Sequence, residues 1–237
     1  MRKVIRLETT EDVKMIETVS KRVSKKYVPI MSTELIALME PEFKFVGGTQ
    51  IRKGSTKHYI DLDSGDDHLR IYNSYDRTMA LRVNLVSDGM VIPLGVDRLV
   101  HIGQKAKDFT VEFTEAKDEI KEAIKTAKLT DFFLKDNVIT VELAKTLTEA
   151  IFQHGTGKKI NQGITDIRNF TDILIDQKIS IKKYITLSVR AFLTGEYTYI
   201  KNGKKLNGRK KEGIMRKVKI ENRVIKALTD EYPEYFL

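Results

Sequence analysis

The residues of this chain that could do chemistry are concentrated in a basic segment near its C-terminal end, residues 201–219. The segment has nine Lys or Arg and a single acid, Glu212, so it carries +8 of the chain's formal net charge of +9. Two Asn-Gly steps inside it favour tight turns, which would display the cations on a loop. Clustered cations attract a phosphate backbone and release its counterions, whatever the base sequence. The segment therefore predicts nucleic-acid binding.

Two tyrosines, Tyr197 and Tyr199, stand just before the basic segment. Aromatic rings can stack on unpaired bases, which is worth about 1–3 kcal/mol per base, so single-stranded DNA is the first expected ligand. The alternative interpretation is a solvated charged face that binds nothing. The predicted nucleic-acid-binding residues are Lys201, Lys204, Lys205, Arg209, Lys210, Lys211, Arg216, Lys217, Lys219, Tyr197 and Tyr199.

Two short runs are similar to known binding loops but depart from their patterns. The acidic run at residues 61–68 has Gly65 and Tyr72 where an EF-hand loop needs oxygen ligands, so it predicts a hairpin turn. The run at residues 154–159 lacks the earlier glycine and the following Ser or Thr of a phosphate loop. A helix end explains this run better, and a looser phosphate contact by Lys158 and Lys159 stays open.

Metal, cofactor and catalytic sites are not predicted. The chain has no Cys, which excludes disulfides and thiolate metal ligands. His58, His68 and His101 would have to converge across a sheet to hold a metal, and their spacing does not require it. No nucleophile elbow and no separated pair of carboxylates is present. We therefore expect no metal, no cofactor and no enzymatic activity.

The basic segment needs a folded body to position it, and the centre of that body is the stretch from Leu69 to Gly103. Apolar and polar residues alternate around residues 69–72 and 80–85, which is the period of a half-buried strand. Turn residues separate the apolar runs, including the Asp88-Gly89 pair. The pattern predicts an antiparallel β-meander, with further strands at the N-terminus, at Phe43–Ile51 and at His58–Leu62.

Helical spacing of apolar residues flanks this sheet. The predicted helices are Thr9–Lys26, one opened by Ser32 and ended by Pro41, one from Thr114, one from Thr140, Ile164–Gln177, Ile181–Thr194 and one near Lys211–Thr229. A sheet-rich first half backed by helices and a helical second half predict an α+β fold. We expect a core domain over residues 1–195. Residues 196–237 would add the basic loop, the last helix and an acidic, aromatic tail.

The central stretch resembles a family of uncharacterised phage and plasmid proteins that carry a domain of unknown function. The likeness covers about residues 25–130 and depends on Leu69–Asp76, Ser87–Val91, the His-Ile-Gly step at 101–103, Tyr27–Ile30 and Lys57–Tyr59. The chain departs from the family pattern at Tyr75, Ser87 and Asp88. The resemblance implies a mobile-element origin and a place in the bacterial cytoplasm. It also implies DNA handling, by analogy with neighbouring replication and recombination genes.

These observations lead to two functional hypotheses. The first is a non-enzymatic phage or plasmid protein that binds or anneals single-stranded DNA in recombination or replication, with several copies forming a ring or filament. The second is a host-takeover or anti-defence protein whose basic segment meets an acidic surface of a host protein. No apolar run approaches the roughly 20 residues of a membrane span. The first residues lack the apolar region of a secretory signal, so no membrane contact is expected.

Overall fold

The computed structural model of the chain describes residues 5–17, 29–51, 54–76, 79–95, 109–152, 175–201, 204–208 and 214–236. Contacts within the chain divide it into two compact units, Met1–Lys128 and Leu129–Leu237. The first unit contains a sheet and the second is mainly helical, so the predicted α+β fold is confirmed.

The described part of the first unit has six strands and two short helices, followed by most of a long helix. The strands are β1 (Ile5–Leu7), β2 (Lys44–Gln50), β3 (His58–Asp63), β4 (His68–Asn73), β5 (Arg82–Ser87) and β6 (Met90–Pro93). The helices are α1 (Thr10–Met15), α2 (Ser32–Met39) and α3 (Phe109–Asp136). The boundary between the two units falls inside α3.

The six strands form one antiparallel sheet in the order β1-β2-β3-β4-β5-β6, so each strand pairs only with its sequence neighbours. The register places Ile71 opposite Ile60 on one side and opposite Val83 on the other. This row is buried in a core that also contains side chains from α1, α2 and α3. The predicted β-meander is confirmed, because the apolar residues at every second position do line one buried face.

The predicted turns are also present. Asp88 and Gly89 have φ angles of 48° and 79°, as a two-residue hairpin turn of the primed type requires. The acidic run between β3 and β4 is a second turn. There the Asp63 carboxylate accepts the Gly65 N–H at 2.6 Å and the Ser64 hydroxyl accepts the Asp67 N–H at 3.0 Å.

Helix α1 is shorter than predicted. Its start has a capping box, in which the Thr9 hydroxyl accepts from the Asp12 N–H and the Asp12 carboxylate accepts from the Thr9 N–H. The helix ends at Met15 and does not continue toward Lys26. The Glu17 carboxylate instead accepts hydrogen bonds from the Thr33 N–H and hydroxyl, which draws the chain toward α2. The later part of the predicted helix, residues 18–28, lies outside the described residues.

Helix α3 begins at Phe109 and not at Thr114. A threonine costs little inside a helix, so Thr114 does not have to be a cap. In the first unit α3 buries Ile120, Ile124 and Ala127 in the core. Its lysines reach the neighbouring elements, as shown by the Lys128 Nζ, which lies 2.7 Å from the Asp67 carboxylate.

The second unit is a helical cluster with one small hairpin. Its elements are the end of α3, α4 (Val141–Phe152), α5 (Ile181–Thr194), β7 (Thr198–Lys201), β8 (Lys204–Asn207), α6 (Ile214–Glu231) and a 3-10 turn at Pro233–Tyr235. The predicted helix at Ile181–Thr194 is confirmed, and Gly195 ends it. Of the predicted helix Ile164–Gln177, only residues 175–177 lie within the described residues, and the first two of them are helical.

Helix α6 is part of the core of this unit. It packs against α4 and buries Val218, Ile220, Val224 and Leu228. The predicted division after Gly195 therefore differs from the division that the contacts show, because residues 196–237 share their core with α4 and α5. The spacing of apolar residues in α6 is typical of a helix that buries one face against neighbouring helices, and not of a helix that is exposed on all sides.

Replacing Leu228 with Ala tests this assignment. Leu228 is 0% exposed, so its loss leaves a cavity and should lower the free energy of unfolding by about 2–5 kcal/mol. The matched control is Leu129→Ala, because Leu129 is 67% exposed and should change the free energy by less than about 0.5 kcal/mol. Urea denaturation followed by circular dichroism measures both. Equal effects of the two substitutions would show that α6 is not part of the core.

Candidate nucleic-acid interface

The first part of the basic segment is a β-hairpin. Strands β7 and β8 pair antiparallel, from Thr198 opposite Asn207 to Lys201 opposite Lys204. The two lysines therefore stand at the tip, on either side of the first Asn-Gly step. Residues 202–203 of that step lie outside the described residues. The Lys204 side chain is exposed to solvent. The predicted loop is thus a hairpin over residues 198–207.

Tyr197 lies at the base of this hairpin and belongs to the core. It is only 7% exposed. Its ring centroid is 4.9 Å from that of Phe152 and 6.1 Å from that of Phe192. The prediction that Tyr197 stacks on a base is therefore wrong, because its ring packs against Phe152 and Phe192 and is hidden from solvent.

Gly208 closes the base of the hairpin against Tyr197. Its N–H donates to the Tyr197 carbonyl at 2.6 Å. A Cβ at this position would lie 2.5 Å from a ring carbon of Tyr197 and 2.7 Å from the Gly195 carbonyl oxygen, so a larger residue does not fit. The hairpin is thus held at a fixed place beside the ends of α4 and α5.

The rest of the interface is one face of α6. Arg216, Lys219, Arg223 and Lys226 follow each other at spacings of three, four and three residues, which places them on one side of a helix. Arg216, Lys219 and Lys226 are exposed, and the opposite side of α6 is the buried one. From Arg216 to Lys226 the row is about 15 Å long. We call these four residues the cationic face.

The cations of this face differ from those of α3 in their partners. On α3, Lys121 lies 3.2 Å from Glu42, Lys125 lies 2.6 Å from Glu122, and Lys128 is paired with Asp67. Among the residues that the structure describes, no acid lies within ion-pair distance of three members of the face, Arg216, Lys219 and Lys226. Three charges of α6 are therefore available to a ligand.

The other predicted site residues divide into two groups. Lys217 is half-buried and points to Glu221, with its Nζ 3.7 Å from the carboxylate, so it is less accessible than Lys219. For the remaining ones no side-chain position is described, and their predicted roles stay predictions. These are Tyr199, Lys201, Lys205, Arg209, Lys210 and Lys211.

Two members of the face were not predicted from the sequence. Lys226 is exposed, and one guanidinium nitrogen of Arg223 donates to the Ala150 carbonyl at the end of α4, 3.3 Å away. The signal that could have found them is the helical spacing, since both continue the row begun by Arg216 and Lys219. Both residues lie after Lys219, where the density of charge along the chain is lower, so charge density alone does not identify them.

The arginines of the sheet offer a weaker surface for an anion. Arg70 makes two hydrogen bonds to the Asp61 carboxylate, at 2.7 and 3.0 Å, and its guanidinium lies 4.1 Å from the Tyr59 ring centroid. Its charge is already neutralised by this bidentate pair. Arg82 is exposed on β5.

The histidines considered as a metal set do not come together. His58 and His68 lie at opposite ends of the β3–β4 hairpin, since His58 pairs with Asn73 and His68 pairs with Asp63. Five residues of strand separate the two rows, which is about 16 Å. His101 lies outside the described residues. In the described part of the chain, no group of three His, Asp or Glu is placed to hold a metal ion.

The structure does bring together a serine and a histidine that the sequence did not connect. The Ser32 hydroxyl lies 2.7 Å from His58 Nε2, which is the geometry of a nucleophile beside its base. Both residues are 0% exposed, however, so no substrate reaches the hydroxyl. This pair belongs to a buried hydrogen-bonded cluster at one end of the sheet.

Comparison of the chain with protein-family models, with curated proteins and with solved structures found no match. None of the helices described is both long and apolar enough to cross a lipid bilayer. The function therefore has to be inferred from the geometry and charge of the two units.

Tyr197→Ala and Tyr197→Phe distinguish a core role from a binding role. Removing the ring should lower the free energy of unfolding by about 3–5 kcal/mol, because Phe152 and Phe192 lose their partner. The Tyr197→Phe variant keeps the ring and should have wild-type stability within about 1 kcal/mol. Urea denaturation measures both. A Tyr197→Ala variant as stable as the wild type would contradict the core assignment.

Proposed function

We propose that this protein binds nucleic acid through the cationic face and the tip of the β7–β8 hairpin. The observation that supports the proposal is that Arg216, Lys219 and Lys226 are exposed without an acidic partner among the described residues, whereas Lys121, Lys125 and Lys128 of α3 are paired. Unpaired cations in a row exchange their counterions for phosphates at little structural cost.

The distribution of charge between the two units supports the same proposal. Residues 1–128 contain 22 Lys and Arg against 20 Asp and Glu, and residues 129–237 contain 20 against 13. The second unit thus holds +7 of the net charge of +9. A concentrated positive field speeds the encounter with a polyanion.

The expected ligand is single-stranded DNA, and the expected action is to bind or anneal strands. Helix α6 has no aromatic residue, so the cationic face can hold a backbone without stacking on its bases. Bases that stay free can pair with a complementary strand, which is what annealing requires. Phosphate contacts fix position but carry no sequence information, so we expect little preference among sequences.

The biological setting that we propose follows from the resemblance to phage and plasmid proteins. The protein would act in the cytoplasm of a bacterial host, in replication or recombination of a mobile element, without catalysing a reaction. Several copies bound along one strand would bring many cationic faces to the same backbone.

Fluorescence anisotropy with labelled single strands and duplexes over a salt series tests the proposal. We expect binding at low salt, similar affinities for unrelated sequences, and a linear fall of log affinity with log salt. Annealing is measured with two complementary strands carrying a donor and an acceptor dye. If neither single strands nor duplexes bind at low salt, the proposal fails. An acidic host protein then becomes the better partner.

A matched pair of triple variants locates the site. Arg216→Gln/Lys219→Gln/Lys226→Gln removes three unpaired cations and should flatten the slope of log affinity against log salt by about 2 on a single strand. Lys121→Gln/Lys125→Gln/Lys128→Gln removes the same charge from α3, where the lysines are paired, and should leave the slope within about 0.5 of the wild type. Circular dichroism confirms that both variants are folded. Equal losses in the two variants would show that only net charge matters and not the cationic face.

A further inference from the structure

A buried polar cluster fastens the chain ahead of α2 to the end of the sheet. Its central residues are Ser32, His58 and Tyr75, all 0% exposed. Asn73 at the end of β4 is also buried, and its amide donates to the Ile30 carbonyl at 2.8 Å and to the Ser32 hydroxyl oxygen at 3.1 Å. The cluster therefore joins three separate parts of the first unit: residues 30–32, β3 and the end of β4.

The hydrogen-bond partners fix where the proton of His58 lies. Nδ1 is 2.9 Å from the Thr56 carbonyl oxygen, which can only accept, so Nδ1 carries the proton. Nε2 is then a bare acceptor, and the Ser32 hydroxyl donates to it at 2.7 Å. In this arrangement the neutral His58 ring makes two hydrogen bonds, as a donor through Nδ1 and as an acceptor through Nε2.

The remaining protons of the cluster are also assigned. The Ser32 N–H donates to the Tyr75 hydroxyl oxygen at 3.1 Å, and the Tyr75 hydroxyl donates in turn to the Glu17 carboxylate at 3.4 Å. The same carboxylate accepts from the Thr33 N–H at 2.8 Å. With His58 neutral, the Ser32 hydroxyl, the Ser32 N–H and the Tyr75 hydroxyl each donate to an acceptor within the cluster.

A second proton on His58 would oppose this arrangement in two ways. The Ser32 hydroxyl would lose its acceptor, and a cation would appear beside the first residue of α2, where a helix carries its positive end. Among the described residues, the titratable groups that face His58 are Tyr75, whose oxygen is 3.4 Å from Nε2, and Glu17, which lies beyond Tyr75. Burial raises the pKa of Tyr75, so that hydroxyl stays neutral and offers no charge to balance a cation.

Glu17 is the one described carboxylate that faces the cluster, and its effect is secondary. Burial lowers the pKa of His58 below its usual value, and the Thr56 carbonyl and the charge of Glu17 only partly oppose this. The unfolded chain therefore takes up a proton at higher pH than the folded chain. It follows that the stability provided by neutral His58 is fully present above about pH 6.5 and decreases as the pH falls below that value.

We propose that the Ser32–His58–Tyr75 cluster is an acid-sensitive latch. When His58 Nε2 takes a proton from solvent, the hydrogen bond from the Ser32 hydroxyl is broken. The segment from Ile30 to Thr33 is then held to the sheet only through Asn73 and Tyr75, without the bond to β3, and so it opens more often. The β3–β4–β5 ladder does not depend on these contacts, because its hydrogen bonds run between backbones, so the latch opens before the sheet unfolds.

Hydrogen exchange of the full chain between pH 7.5 and 4.5, corrected for intrinsic rates, tests the latch directly. The Ser32 and Thr33 amides should lose protection as the pH falls below about 6.5, by up to about tenfold per pH unit, because opening is coupled to the uptake of one proton by His58. Amides of β4 and β5 should keep their protection over the same range. Unchanged protection at Ser32 and Thr33 through the titration of His58 would overturn the proposal.

Two variants and a control assign the effect to His58. His58→Gln keeps an acceptor near Ser32 but does not titrate, so the pH dependence of stability between pH 6.5 and 5 should disappear, whereas His68→Gln should retain it. If His58→Gln fails to fold, Ser32→Ala serves, because it removes the hydroxyl donor to the neutral ring. The His58 midpoint measured by NMR should then move up toward 6.5. A wild-type midpoint already at or above 6.5 would overturn the latch.

Discussion

An antiparallel sheet whose strands follow one another in sequence must bury one face with every second residue, and the first unit is built on that constraint. Ile60, Ile71 and Val83 form one such row across three strands. The helices that precede β2 and follow β6 in the chain supply the covering layer, with Leu35 from α2 and Ile124 from α3 in the same core. A slip of one residue in any pair would expose a whole row, so the apolar alternation fixes the register.

Helices α3 and α6 differ in whether their charged side chains have partners of opposite charge. On α3 the lysines are matched by acids of their own helix or of neighbouring elements, and these pairs add little to stability because they are exposed. On α6 the acids that could pair are few, and one of them, Glu221, is turned toward the buried side. Arg216, Lys219 and Lys226 of α6 are thus unpaired among the described residues because few acids lie near them in the sequence. These cations belong to the face to which the proposed function assigns binding.

The sequence allowed the local features of the fold to be predicted well. The strands of the meander, the Asp88-Gly89 turn and the helix Ile181–Thr194 all follow from periodicity and turn chemistry, which neighbouring residues determine. The early end of α1 could not be predicted, because it depends on the contact between Glu17 and Thr33.

Prediction of the candidate site was less complete for a similar reason. The unpaired cations of α6 could be found from charge and spacing, but the burial of Tyr197 depends on Phe152 and Phe192, which are distant in sequence from it. The cluster of Ser32, His58 and Tyr75 likewise joins residues up to 43 positions apart. No local pattern carries information about such contacts, so an aromatic or a histidine in a polar neighbourhood is easily assigned to the surface when it belongs to the core.

The order of the strands has a consequence for how copies of this chain could associate. Among the described strands, β1 and β6 are the two outer ones, and β6 has four residues and ends at Pro93. The short β6 edge offers few unpaired backbone groups, so a second copy gains little by extending the sheet on that side. If the chain forms a ring or filament on a strand of DNA, a ladder through β6 would be short, and side chains would have to supply most of the contact between subunits. Growth of the assembly can then stop when the DNA is fully covered, whereas a shared sheet would continue without it.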